Sequence, residues 1–250
     1  MLILHLSSCE ERTPFNHRLL YGTRELPLLQ VYMDTHRRLS NEQDFREGRA
    51  RELITQGWIS AQQGQPTTGV TQIREGLTMC EAAGTQLERS RHLALLAEAY
   101  ALNGQPEEGL IELEAALRHV ARTGERYYEA EIYRLKGTLT LQSKIQSPKS
   151  KVEEEATGYF LKAIEIAHTQ QAKSLELRAT MSLVRLRQQQ AQDYALRNTH
   201  HVIRTRLAEA HNMLSDIYHW FTEGFATTDL QEAKALLDDL AATSPAPQNR

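Results

Sequence analysis

The stretch GWISAQQGQPTTGVTQIREGL at residues 57–77 aligns without gaps on AEAYALNGQPEEGLIELEAAL at residues 97–117. The two stretches share the tripeptide Gly-Gln-Pro, and the offset between them is 97 − 57 = 40 residues. A further step of 40 residues reaches Gly137, and a step of 44 from there reaches Met181. Self-similarity at such a period is typical of repeat arrays. The sequence therefore predicts four consecutive units of similar structure.

Each unit carries two segments in which apolar residues recur every three to four positions, the spacing of a buried helical stripe. With 13 Gly and 7 Pro in 250 residues, few helix breakers interrupt these segments. We therefore predict an all-α solenoid of helical hairpins. The predicted helices are 43–63, 66–83, 88–103, 106–123, 127–142, 152–171, 173–191, 203–222 and 229–241.

Glycine and proline mark the ends of the predicted helices. Glycine readily adopts the left-handed conformation that ends many helices, and proline fits the first turn of the next helix. Pro66 and Pro106 each open a second helix. The glycines expected to close helices are Gly64, Gly84, Gly104 and Gly124.

Small residues are also expected inside the helices, where the two helices of a hairpin cross. A glycine inside a helix costs roughly 1 kcal/mol relative to alanine, so a repeated one indicates close packing of two backbones. The predicted crossing residues on the first helices are Gly57, Ala97 and Gly137, and their counterparts on the second helices are Gly69, Gly109 and Ala156.

The pattern divides the chain into three parts. Residues 1–45 are poorly assigned, 46–241 form the repeat domain, and the tail 242–250 is expected to be disordered. Two segments depart from the period, a Ser-, Pro- and Lys-rich loop at 143–151 and an insertion at 191–205. Within the repeat domain the predicted units are 50–84, 90–124, 130–171 and 174–222, followed by a capping helix at 229–241.

Four runs in this sequence resemble the C-terminal tetratricopeptide region of large bacterial signalling ATPases, which are linked to adenylate/guanylate cyclase domains or to transcriptional regulators. The runs are LALLAEAYALNGQPEEGL, RTGERYYEAEIYRLKGTL, QQAKSLELRATMSLVRL and WFTEGFATTDLQEAKALLDDL. The resemblance covers about residues 56–241. It implies a right-handed superhelix that binds or couples proteins, with a cyclase or ATPase module as a possible partner, and it implies no catalytic activity in this chain.

Composition excludes several classes of function. The net charge of −3 gives no global attraction to nucleic acid or anionic lipid. Cys9 and Cys80 are too few for a disulfide framework, so we expect a reducing, cytoplasmic location. The first twelve residues lack the basic start of a signal peptide, and no apolar run reaches the length of a membrane helix. We therefore expect no membrane partner.

The motifs of enzymes and of cofactor sites do not occur. There is no GxxxxGK[ST] or GxGxxG phosphate loop, so we expect neither nucleotide binding nor enzymatic activity, and no cofactor. His200, His201 and His211 have no HExxH or cysteine partner, so we expect them to be solvated rather than to hold a metal. The carboxylate clusters fit helix N-termini, where acids complement the helix dipole. These clusters are Glu107–Glu108, Glu129–Glu131 and Glu153–Glu155.

Two further clusters leave alternatives open. Between Gln171 and Leu207, seven basic residues against two acids give a local charge of 7 − 2 = +5. This patch suggests an alternative function as a nucleic-acid-linked regulator arm, although nucleic acid is not the favoured partner; the simpler interpretation is a solvated arginine-rich face. The basic residues are Lys173, Arg178, Arg185, Arg187, Arg197, Arg204 and Arg206. The aromatic residues Tyr218, Trp220, Phe221 and Phe225 are interpreted as core beneath the capping helix rather than as a recognition surface.

The favoured function is the binding of a protein or peptide in the groove lined by the first helices. The positions expected to line it lie one residue after, three before and six before each crossing residue. They are Trp58, Ile54 and Arg51; Glu98, Ala94 and Arg91; Thr138, Arg134 and Glu131; and Ser182, Arg178 and Leu175. With Arg185, these arginines and an exposed Trp58 would hold a peptide carboxylate and an apolar side chain. The alternative is that Glu98, Arg91, Glu131 and Arg134 pair with each other across neighbouring helices.

Overall fold

The computed structural model describes residues 30–31, 46–143, 147–195 and 200–243. The prediction of an all-α chain is confirmed for these residues, because they contain nine helices from Arg46 onward and no strand. The helices are α1 (Arg46–Gln62), α2 (Pro66–Ala82), α3 (Arg89–Leu102), α4 (Pro106–Thr123), α5 (Glu129–Gln142), α6 (Lys149–Thr169), α7 (Lys173–Ala195), α8 (His200–Trp220) and α9 (Thr228–Thr243).

Consecutive helices form hairpins, and the hairpins pack side by side. The pairs α1 with α2, α3 with α4, α5 with α6 and α7 with α8 each pack together across a short connection. Each first helix also packs on the first helix of the next hairpin, from α1 through α3 and α5 to α7, and α9 packs on α7 and α8. The first helices therefore form one continuous row.

The helix ends follow the glycine pattern of the sequence. Gly64 and Gly104 have φ of +87° and +72°, and the N–H of the residue after each donates to a carbonyl five residues back. These are the left-handed caps that glycine favours. At the end of α6 the same conformation is taken by Gln171, with φ of +54°. A non-glycine residue therefore occupies the position that Gly84 and Gly124 hold in the earlier units.

The crossings of the first two hairpins are as close as predicted. A Cβ atom added to Gly57 would lie 2.8 Å from the carbonyl oxygen of Gly69, and one added to Gly109 would lie 2.8 Å from that of Ala97. At Gly137 the nearest atoms belong instead to the ring of Phe160, at 2.6 Å. Backbone meets backbone in the first two hairpins, whereas an aromatic ring fills the third crossing.

Three helix boundaries within the described residues differ from the predicted ones by three residues or more. Helix α6 begins at Lys149, three residues early, because Pro148 fixes the backbone just before the first turn. Helix α7 continues to Ala195, and α8 already begins at His200. The segment at 191–205 is thus largely helical where it is described. The expectations for residues 1–29, 32–45, 144–146, 196–199 and 244–250 lie outside the described residues.

Helix α9 closes the far end of the array, as the capping prediction requires. Its apolar side, with Leu230, Leu236 and Leu240, packs on Leu177 and Leu214 of the last hairpin. Its other side carries Lys234 and the acids Asp238 and Asp239, all exposed. One apolar and one polar face are what a terminal unit of a repeat array needs.

The aromatic run is only half in the core. Tyr218 and Phe221 pack on the cluster beneath α9, as expected. Trp220 is 58% exposed and Phe225 is also exposed, so the core interpretation is wrong for these two residues. Trp220 stands edge-on to Phe221 at the end of α8, where the chain leaves the packed surface.

Candidate functional site

We call the predicted groove positions on α1, α3, α5 and α7 the inner face. Trp58 of α1 reaches across to α3, where its indole N–H donates to Glu98 Oε2 at 2.7 Å. Only 3% of Trp58 is exposed, so the expectation of an exposed tryptophan is wrong. The side chain is long enough to reach the neighbouring helix, and it joins the first two hairpins instead of facing a ligand.

Arg91 on α3 is buried and pairs with the residue that precedes its own helix. Its Nη2 donates to Glu88 Oε2 at 2.8 Å and lies 3.4 Å from the Nε2 atom of His92. Glu88, just before α3, is buried with φ of +61°. Sequence reasoning missed Glu88, although its spacing of three residues from Arg91 is a known signal for a helical ion pair.

A larger ion-pair network joins α5, α7 and α9. Arg134 donates two hydrogen bonds to Glu131, at 2.9 and 2.7 Å. The same carboxylate lies 2.8 Å from Nη2 of Arg178, whose Nε faces Asp229 of α9 at 3.9 Å. Glu131 is thus bound by two arginines, one from its own helix and one from the next hairpin.

The network keeps Arg178 charged despite its burial. Burial lowers the pKa of Arg178, but the carboxylates of Glu131 and Asp229 outweigh that effect, so its net pKa rises and it stays charged. Arg178 is 6% exposed, and its Nη1 atom has no hydrogen-bond partner among the described residues. A buried guanidinium held by carboxylates from two other helices fixes the position of α7 relative to them.

The alternative was that four charged residues pair with each other across neighbouring helices, namely Arg91, Glu98, Glu131 and Arg134. It is only partly right. Glu131 and Arg134 do pair, but within α5. Arg91 pairs with Glu88, and the partner of Glu98 is Trp58. These side chains are therefore already engaged with the protein itself.

Arg51 and Arg185 lie at the two ends of the inner face. Arg51 is half-buried on α1, whereas the side chain of Arg185 is 49% exposed and lies 2.8 Å from Glu232 of α9. The sequence places only two acids among the seven basic residues around Arg178 and Arg185, yet in the structure both arginines are paired with acids. These acids lie on α5 and α9, more than forty residues away along the chain, where no local pattern could reveal them.

The accessible part of the inner face lies one helical turn beyond the charged network. Leu102, four residues after Glu98, is 48% exposed. Thr138 and Ser182 are partly exposed, and their hydroxyls donate to carbonyls of their own helices, at 3.2 and 3.0 Å. We call Leu102, Thr138 and Ser182 the accessible strip, which ends at Arg185.

The basic patch of the fourth unit is largely neutralised where it is described. Lys173 bonds to Glu176 at 2.8 Å, and Arg178 and Arg185 are paired as above. Burial lowers the pKa of Arg187, and nearby Arg206 lowers it further. Arg197, and the side chain of Arg204, lie outside the described residues. The paired residues do not form the open cationic surface that nucleic-acid binding requires.

A second polar cluster joins the two helices of the second hairpin to Glu125, in the connection between α4 and α5. Glu125 accepts hydrogen bonds from the hydroxyl of Ser90 at 2.6 Å and from the backbone N–H of Glu88 at 3.2 Å, and it lies 3.8 Å from Nε2 of His119. Arg122 donates to Nδ1 of His119 at 3.2 Å, which fits a neutral imidazole. Burial lowers the pKa of His119, and Glu125 partly offsets this shift. No local sequence pattern indicates this cluster.

Other candidate chemical groups are dispersed. Among the described residues, no group of three histidine, cysteine or acidic side chains is placed to hold a metal ion. The side chains of His200 and His201, and Cys9, lie outside that part of the chain. The acids Glu107, Glu129 and Glu131 stand in first turns of their helices, as the dipole interpretation requires. The interpretation is wrong for Glu153–Glu155, because α6 begins at Lys149 and has no acid in its first turn.

In the described part of the chain, no helix combines the length and apolarity needed to cross a bilayer. Comparison with models of known protein families gives no match, and comparison with curated proteins gives none either.

Proposed function

We propose that this chain is a non-catalytic protein-interaction module of a bacterial signalling or regulatory system. It would bind a segment of a partner protein along the inner face of a tetratricopeptide-like superhelix, with a cyclase or ATPase module as a candidate partner. The proposal combines the sequence resemblance with the packing of the helices. A cytoplasmic location follows from the same proposal.

The observation that carries the proposal is the continuous row of first helices and the bonds that connect them. Trp58 to Glu98 joins α1 to α3, and Arg178 joins α7 to both α5 and α9. Such cross-links favour a rigid surface, and a rigid surface loses less conformational entropy when it binds a partner. The accessible strip beginning at Leu102 offers that surface to a ligand.

The burial and contacts of each side chain decide which residues are suitable for testing the proposal. Replacement of Arg178 would remove a buried cation from beside Glu131 and Asp229, so it would destabilise the fold whether or not a partner binds. Leu102 is a better choice, because it is exposed and lies on the accessible strip. Ile111 on the second helix α4 is also exposed and provides the matched control.

We would place a photo-crosslinking amino acid at Ser182 on the inner face or at Lys162 on α6, and irradiate the full chain in extracts of its native cell. A discrete adduct at Ser182, absent at Lys162, is expected. Leu102→Asp should reduce that adduct severalfold, whereas Ile111→Asp should leave it unchanged. Adducts confined to Lys162, or insensitivity to Leu102→Asp, would contradict binding at the inner face.

A separate assay distinguishes a binding module from an enzyme. The purified chain, incubated with Mg²⁺ and ATP or GTP, should show neither hydrolysis nor cyclisation above a buffer control. Turnover that survives purification and changes with point substitutions in this chain would overturn the non-catalytic assignment.

A further inference from the structure

Gly158 is an exposed glycine near the middle of α6. A Cβ atom added to it would meet nothing within 4 Å. A glycine inside a helix is less favourable than alanine, so a reason for it is expected. Close packing supplies that reason at the other helical glycines, where an added Cβ would lie within 2.8 Å of a neighbouring atom: Gly57, Gly69, Gly76, Gly109 and Gly137. No contact within the chain supplies it at Gly158.

The side of α6 that carries Gly158 faces solvent. On the opposite side, Ala156 and Phe160 pack with Leu183 of α7. A helix turns by about 100° per residue, so the side chains within about 60° of Gly158 share its face. They include the following residues, which are all exposed: Lys151, Glu154, Glu155, Leu161, Lys162 and Glu165. We call these six residues and Gly158 the α6 outer face.

The charges of the α6 outer face alternate about Gly158 in a regular way. Four residues before the glycine stands Glu154, and four residues after it stands Lys162. Seven residues before it stands Lys151, and seven residues after it stands Glu165. Opposite charges therefore lie at equal distances on the two sides of the glycine.

We propose that the α6 outer face binds the same face of a second copy of this chain, with the two α6 helices antiparallel about a two-fold axis at Gly158. In that arrangement Lys162 faces Glu154 of the second copy, and Glu165 faces Lys151. The two-fold axis makes each contact occur twice. A parallel arrangement would place each residue opposite itself and bring like charges together. The missing side chain of Gly158 lets the two backbones approach closely at the crossing.

The charged side chains are within reach of such a contact. At 1.5 Å per residue, Lys162 lies about 6 Å from the crossing along the helix axis, and Glu165 lies about 10 Å from it. Lys151 and Glu154 form no ion pair with the described residues. Lys162 pairs with Glu165 of its own helix at 2.9 Å, but such an exposed pair contributes little and can rearrange.

This inference is independent of the proposed partner. Helix α6 is the second helix of its hairpin, whereas the inner face belongs to the first helices. A contact confined to one helix face of each copy is small, so the dimer should form and dissociate with concentration. A photo-crosslinker at Lys162 would then give a self-adduct of twice the mass of the chain, which differs from an adduct with a partner protein.

Sedimentation velocity of the full chain, over micromolar to submillimolar concentrations, tests the proposal. We expect a monomer–dimer equilibrium that weakens as salt is added, because the contacts are exposed ion pairs. Gly158→Leu should abolish the dimer and leave the helical circular dichroism spectrum intact, since the added side chain meets nothing in its own chain. Thr78→Leu, at an exposed position of α2, is the matched control and should leave the dimer unchanged.

Charge exchange tests the antiparallel orientation. Lys151→Glu places two acids against each other at both contacts, so it should raise the dissociation constant of the dimer about tenfold. The addition of Glu165→Lys to the same chain should restore the original value. A chain that stays monomeric at all concentrations would overturn the proposal and leave a different protein as the candidate for this face. A dimer that survives Gly158→Leu, an equal loss with Thr78→Leu, or the absence of rescue by Glu165→Lys would overturn it as well.

Discussion

The first and fourth hairpins occupy equivalent places in the repeat but are held together by different means. At the crossing, the first hairpin has Gly57 against the backbone of Gly69, whereas the fourth has Met181 in a side-chain core. Three residues before the crossing, the first buries Ile54 and the fourth buries Arg178. One position therefore accommodates either an apolar side chain or a guanidinium, provided that neighbouring helices supply the carboxylates.

The contrast shows that a repeat preserves geometry rather than interaction type. Close backbone approach suits the first hairpin because glycine needs no space at the crossing. The fourth hairpin has no glycine there, and its first helix is tied to α5 and α9 by charge. Different substitutions should consequently destabilise the two hairpins.

The largest expected effect is at the charge-held hairpin. Arg178→Ala should lower the free energy of unfolding by about 3–5 kcal/mol, because Glu131 and Asp229 lose a buried cation. Arg185→Ala, which removes a half-exposed pair with Glu232, should cost no more than about 1 kcal/mol. Urea unfolding followed by circular dichroism measures both. Equal losses for the two variants would show that burial of the network does not matter.

The next effect is at the glycine crossings. Gly57→Leu should cost about 1–3 kcal/mol or more, because the added carbons meet the backbone of α2, which cannot rotate away. Gly137→Leu should fall in the same range of about 1–3 kcal/mol, since the Phe160 ring must move. Gly158→Leu is the matched control: a Cβ there meets nothing within 4 Å, so stability should hold or rise. A loss at Gly158 as large as at the two crossing glycines would mean that close packing at the crossings does not determine the effect.

The sequence predicted the helices and their crossings but not the side-chain partners. The cap glycines Gly64 and Gly104 and the crossing glycines act through the backbone of nearby residues. Their role can therefore be predicted from the local sequence pattern. The partners of Trp58 and Arg178 lie forty or more residues away. Whether such a long side chain faces a groove or a neighbouring helix depends on the spacing between hairpins, which periodicity alone does not contain.

A smaller effect concerns the polar cluster between the two contrasted hairpins. The pKa of His119 is lowered in the fold, so below the usual value of about 6.5 the unfolded chain binds more protons than the native one. Stability should therefore fall as the pH drops through that value and be fully present above it. His119→Gln should show a weaker decrease in urea midpoint between pH 7.5 and 5.5. If His119→Gln left the pH dependence unchanged, a group other than His119 would be responsible for it.

The smallest effect is expected at the end of α6. Gln171 has φ of +54°, where glycine carries no penalty, so Gln171→Gly should raise stability by about 0.4–1 kcal/mol. Gly124→Ala, at φ of +75° with open space around it, is the reciprocal variant and should lower stability. The melting temperatures of the two variants measure both effects. A loss on Gln171→Gly would show that the hydrogen bond from its side chain to the carbonyl of His168 outweighs the backbone strain.

In the described chain, the helices that pack closely stand next to each other in sequence or one place apart. Such short-range contacts require little loop closure, so the chain can fold rapidly. During synthesis, α1 and α2 can form the first hairpin before the fourth hairpin, α7 with α8, has left the ribosome. The ion pairs of Arg178 are complete only after Asp229 of α9 has been synthesised. The last hairpin is therefore the step at which folding depends on the arrival of the final helix.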